Sequence, residues 1–125
     1  LDEKMRDVAE ESLRRIVTSP AEAFGATAEL IYERGYPVTV NHPAQTAFAA
    51  DIAAEITADV DRDTPPVMPA EDFAYMLEAR PGAYMFLGNG DTPMCHHPAY
   101  RFDDELMPLG CSWFALLAER RMPAQ

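Results

Sequence analysis

Cys95-His96-His97 is the only stretch of this 125-residue chain in which thiol and imidazole ligand types stand side by side. Neutral imidazole binds zinc, manganese, cobalt and nickel well. Adjacent histidines point in different directions because side chains alternate, so one of the pair at most serves a given ion. A stable site needs three or four ligands, and the remaining candidates are the carboxylates of Glu71 and Asp72. On spacing alone, a surface loop with two solvated histidines is the simpler reading. Glu71 and Asp72 fall in the first turn of a predicted helix, where acidic side chains favour the dipole, and the alternative is that one of them faces a cleft. Gly88-Asn89-Gly90 follows an apolar run. Such a turn lets a ligand approach the backbone closely and serves equally well as a plain reversal. It lacks the G-x-G-x-x-G spacing of a dinucleotide loop. Cys95 lies beside an imidazole but has no third group to orient it as a nucleophile, so an inert thiol is the simpler assignment.

The elements that must carry these residues are legible from pattern. Met5, Val8, Ala9, Leu13, Ile16 and Val17 recur at helical spacing, so residues 2–18 read as an amphipathic helix. Asp2 and Glu3 suit its start and Pro20 its stop. Residues 26–34 alternate as a half-buried strand should. Residues 38–41 form an extended connector, which places a domain boundary near 36–41. A second helix is expected from Pro43 to about Ala58, with Phe48, Ile52 and Ile56 inward. Residues 59–69 are a charged, proline-rich loop, with a short strand at Val67-Met68. A short helix spans 71–79. The apolar run 84–87 fits a buried strand. Residues 91–102 form the loop that carries the histidines. The last helix starts at Asp103 or Asp104 and ends near Arg121, with Leu106, Leu109, Trp113, Phe114 and Leu117 on its apolar stripe.

Composition removes several classes of function. A formal net charge of -11 repels nucleic acid and anionic membranes, and the Lys and Arg residues form no long basic run. No apolar run approaches the ~18 residues of a membrane span. Cys95 and Cys111 form neither a CxxC motif nor a disulfide framework, which points to reduced thiols in the cytoplasm. The size allows one modest domain or a part of something larger. Leu1 in place of an initiator Met fits a trimmed chain.

Four segments in order carry a resemblance: Tyr32-Glu33-Arg34-Gly35-Tyr36-Pro37-Val38-Thr39-Val40-Asn41, Met68-Pro69-Ala70-Glu71-Asp72-Phe73-Ala74-Tyr75, Phe86-Leu87-Gly88-Asn89-Gly90, and His96-His97-Pro98-Ala99-Tyr100-Arg101-Phe102-Asp103-Asp104-Glu105. Together they resemble the hippurate hydrolase and N-acyl-amino-acid amidohydrolase branch of the M20 peptidase superfamily. The resemblance implies an α/β fold. Residues 1–37 would be the last helix and strand of an α+β lid, which mediates dimerisation in that family. Residues 41–125 would be the C-terminal part of the catalytic domain. It implies a metal-dependent amidohydrolase with two divalent ions (Zn, Mn, Co or Ni) and a small N-acyl amino acid or peptide as substrate. His96 matches the last metal ligand, the His of an x-His-x-Pro motif. Asn41, Glu71, Asp72 and Gly88 fall near the substrate cleft. The family's other ligands and its catalytic glutamate lie in segments that this sequence does not contain, so no catalytic residue is assigned and the chain alone is expected to be inactive. Pro69-Ala70 replaces the family's Gly-Ser before Glu-Asp-Phe. The alternatives are a complete small non-catalytic binding protein that keeps these segments, or an unrelated α+β domain.

Overall fold

The computed structural model describes residues 2–122. Asp2 starts the first helix, α1 (Glu3–Ala23), and its carboxylate accepts the Lys4 N–H at 2.7 Å. That bond satisfies one of the donors every helix start leaves open. The helix runs through Pro20, where the sequence places its stop, and continues to Ala23. The terminator is Gly25. At φ +70 it lets its own N–H reach Glu22 O and the Ala26 N–H reach Ala21 O, the paired bonds of a Schellman cap. A proline costs a helix one bond and some crowding, and here the helix bears that cost and closes at the cap four to six residues downstream.

The other helices are α2 (Pro43–Ala54), α3 (Phe73–Ala79) and α4 (Met107–Arg121). α2 ends four residues before the expected Ala58. There the backbone closes as a turn, with Thr57 N–H bonded to Ala53 O and the Thr57 hydroxyl accepting from Asp59 N–H. A side chain that bonds local backbone in this way competes with continued helix. Asp103 opens the last helical segment as expected: its carboxylate accepts from Glu105 N–H at 3.0 Å, and a short 3-10 turn, Asp104–Leu106, leads into α4.

The expected strands at 26–34, 67–68 and 84–87 are not formed among the described residues, which are helical with no sheet. A strand exists only by pairing with a neighbour, and no described segment supplies one. Side chains hold the flanking backbone instead. Arg6 donates to the carbonyls of Arg34 and Tyr36, and Glu3 accepts from Val38 N–H at 3.2 Å. Arg34 in turn bonds Asp7 at 2.6 Å.

The chain divides into two compact units. One holds the residues up to Val40 together with Met68–Arg80, and the other holds Asn41–Val67 together with the residues from Pro81 onward. In the first unit the buried residues are Ala74 and Leu77 of α3, and Tyr36 meets Tyr75 edge to face at 6.1 Å. In the second, α2 buries Ala49, Ala50 and Ile52. α4 packs on α2 through Trp113, whose indole N–H donates to Ala49 O at 3.0 Å. Arg120 clamps Glu55 with a 2.7 Å bond at the far end of the same pair of helices.

Much apolar surface stays outside. No residue of α1 is buried, and Met5 and Ile16 on its apolar stripe are each 62% exposed. Among the described residues no helix is long and apolar enough to cross a membrane.

Candidate functional site

His96 sits in a loop that is organised by its own bonds. Two consecutive turns build it: His97 N–H bonds Met94 O at 3.1 Å, and Tyr100 N–H bonds His97 O at 2.9 Å. His96, at φ 72, is the one non-glycine residue with positive φ among those described. Histidine visits this left-handed region more readily than most residues, but it still costs about 1–2 kcal/mol and persists where the surroundings impose it.

The two histidines differ in what their rings do. His97 Nδ1 accepts the Ala99 N–H at 3.1 Å. That assigns the proton of the neutral ring to Nε2 and leaves His97 no spare lone pair for a cation. The described hydrogen bonds leave the ring of His96 unengaged, and the residue is exposed. Of the pair, His96 is therefore the available donor.

The loop's base is closed by Asn89. Its side-chain NH₂ donates to Arg101 O at 2.6 Å and its Oδ1 accepts from Asp103 N–H at 2.8 Å. Thr92 adds a longer bond of 3.4 Å from Arg101 N–H. Inside the loop, Tyr100 interacts with Cys95. Burial is the main cause that pushes the Tyr100 phenol above its ordinary range, and the charge and hydrogen bond of Cys95 act in the same direction. Cys95 and Cys111 are both free and exposed.

Asn41 is engaged with the protein's own backbone. Its Oδ1 accepts from Tyr84 N–H at 2.6 Å and its NH₂ donates to Tyr84 O at 2.8 Å, so one amide side chain does for Tyr84 what a neighbouring strand residue would do. His42 extends the clasp: its N–H bonds Gly82 O at 3.0 Å, and its Nδ1 accepts from Gly82 N–H at 3.2 Å. The sequence reading missed His42 and gave Asn89 no role, because a side chain that bonds backbone leaves no periodicity in sequence. Gly88 is exposed, and a Cβ there would meet nothing within 4 Å, so nothing in the described fold requires glycine at that position.

Glu71 and Asp72 belong to the other unit and precede α3. Glu71 Oε1 accepts from Phe73 N–H at 3.1 Å, which serves the helix start. Asp72 holds the cap position with helical dihedrals, makes no capping bond and is exposed.

Among the described residues no group of three or more His, Cys, Asp or Glu could hold a metal ion. His96 fits a divalent cation as a single donor, and a full ligand set is not present among the described residues.

The model of the peptidase family M20/M25/M40 matches residues 4–120. The chain is 39% identical to thermostable carboxypeptidase 2 of Saccharolobus solfataricus, across 94% of this chain and 31% of that protein. It is 30% identical to hippurate hydrolase of Campylobacter jejuni, again across 94% of this chain and 31% of the relative. An N-acetylcysteine deacetylase of Bacillus subtilis is 31% identical across 90% of this chain and 30% of its own length. The chain thus spans about a third of the length of the curated relatives it matches. No solved structure matches it. A match that runs from Lys4 in α1 to Arg120 in α4 makes this chain a member of the peptidase family M20/M25/M40.

Proposed function

We propose that this chain is the C-terminal portion of a metal-dependent amidohydrolase that cleaves the amide bond of N-acyl amino acids, with His96 as one ligand of its metal centre. The observation that carries the reading is the contrast within one loop: His97 is tied to backbone, while His96 is exposed, unengaged and held at φ 72. Divalent ions in such a centre supply activation of a water and polarisation of the amide carbonyl. The part of this chain is to present one neutral imidazole from a loop fixed at its base.

The exposed faces of α1, and Ile31 and Phe86 in the two expected strand segments, fit a chain whose sheet neighbours and covering elements lie in other parts of an α/β enzyme. Residues 1–37 are then the end of the lid, through which a homodimer forms, and residues 41–125 belong to the catalytic domain. Reduced cysteines and the acidic surface suit the cytoplasm. The 125 residues by themselves do not turn over substrate, because they bring one ligand and no general base.

The test is hydrolysis of hippurate and related N-acyl amino acids by the polypeptide as its gene encodes it, before and after removal of metal by a chelator. Metal-restored cleavage is the expected result. Metal-independent cleavage, or cleavage of hippurate by the isolated 125 residues at an ordinary enzymatic rate, would overturn the proposal.

A further inference from the structure

We infer that Asn89 is a positioning residue for His96, the clasp that closes the histidine loop and fixes it to the helical core. This rests on the reading of His96 as a ligand. The argument begins from strain. A left-handed histidine relaxes unless its surroundings hold it, and the two turns around it restrain only residues 94–100. What joins the two ends of the loop is the Asn89 side chain, with bonds of 2.6 Å to Arg101 O and 2.8 Å to Asp103 N–H. One planar amide that both donates and accepts fixes direction as well as distance. Thr92 contributes only the weaker 3.4 Å bond.

The clasp also has a firm anchor. Asp103 caps the turn that begins the α4 segment, and α4 is held to α2 by the Trp113–Ala49 bond. The path from packed core to ligand therefore runs through α4, Asp103, Asn89 and the loop to His96. Asn89 does not touch the ion or substrate. It sets where the imidazole stands, and residues that orient a ligand in this way typically alter metal affinity or activity by about 10- to 100-fold when they are removed.

The experiment compares Asn89→Ala, Asn89→Asp and His96→Ala with the parent polypeptide as its gene encodes it. It reads hydrogen exchange over residues 90–103, Zn²⁺ affinity against a competing chelator, and the thermal transition. Asn89→Ala is expected to lose protection across the loop and to weaken Zn²⁺ by about 10- to 100-fold, with the thermal transition retained. Asn89→Asp keeps the acceptor for Asp103 N–H but sets an oxygen against Arg101 O, so it too should lose protection across the loop. Unchanged exchange and unchanged affinity in Asn89→Ala would overturn the inference. Loss of the thermal transition in both Asn89 variants would overturn it as well, because Asn89 would then support the whole fold and not the loop. If His96→Ala left Zn²⁺ affinity untouched, the ligand reading would fail while the exchange result still decided the clasp.

Discussion

Asn41, expected near the substrate cleft, bonds the backbone of Tyr84 on both sides of its amide, and a single substitution weighs those bonds. Asn41→Ala removes both bonds to Tyr84, at 2.6 and 2.8 Å. A hydrogen bond contributes about 0.5–1.5 kcal/mol net, so the pair is worth about 1–3 kcal/mol of local stability. That corresponds to a rise of roughly 5- to 150-fold in amide exchange at Tyr84 if the segment opens locally. Hydrogen-exchange mass spectrometry on peptides covering residues 82–86, in the polypeptide as encoded, reads this directly. Asn41→Asp sharpens the test. One carboxylate oxygen still accepts from Tyr84 N–H, but the other faces Tyr84 O and repels it. The folded state then prefers the protonated acid, so the damage is greatest at neutral pH and eases as pH falls through the raised folded pKa. An exchange change below about twofold would refute the clasp, and a raised KM for substrate beside it would point to a role for Asn41 at the cleft.

Three further outcomes follow from the packing and the loop. Trp113→Phe deletes the indole donor to Ala49 O and should lower stability by about 1 kcal/mol, seen as an earlier unfolding midpoint in urea. Leu77→Ala empties a position that is 5% exposed in α3 and should cost about 2–3 kcal/mol, the low end of such changes because a seven-residue helix collapses readily onto the gap. Tyr100, whose phenol lies above the ordinary 10.0 chiefly through burial, keeps its proton in the native state where the unfolded chain has lost it. Its contribution is fully present below pH 10.0 and disappears as pH rises through the folded value. Tyrosinate absorbance compared with Tyr100→Phe should show one late-titrating phenol, with loop exchange rising over the same range.

Local chemistry was legible where it is local. Asp2 at the start of α1, Pro43 at the start of α2 and Asp103 before the last helix all act as their types suggest. Pro20 misled because a proline is a strong stop signal, while the true terminator was the Gly25 cap, whose signal is a single residue type at the right offset. The strands at 26–34 and 84–87 carry the right alternation and apolar run, yet pairing is a property of two segments, and no described segment pairs with either. Of the candidate site, the sequence singled out His96 by motif. The bond that engages His97, from Ala99 N–H to its Nδ1, appears only in three dimensions. The clasps of Asn41 and Asn89 were hidden for the same reason: each meets backbone more than ten positions away in sequence.

The most direct test of the account is the metal content of two neighbouring variants, His96→Ala and His97→Ala, made in the polypeptide as its gene encodes it and measured beside hydrolysis of an N-acyl amino acid. The account predicts that His96→Ala loses bound metal and most of its activity while retaining its thermal transition. His97→Ala, which gives up only the bond to Ala99 N–H, should keep its metal. Retention of metal and activity in His96→Ala, or the reverse pattern between the two histidines, would contradict it.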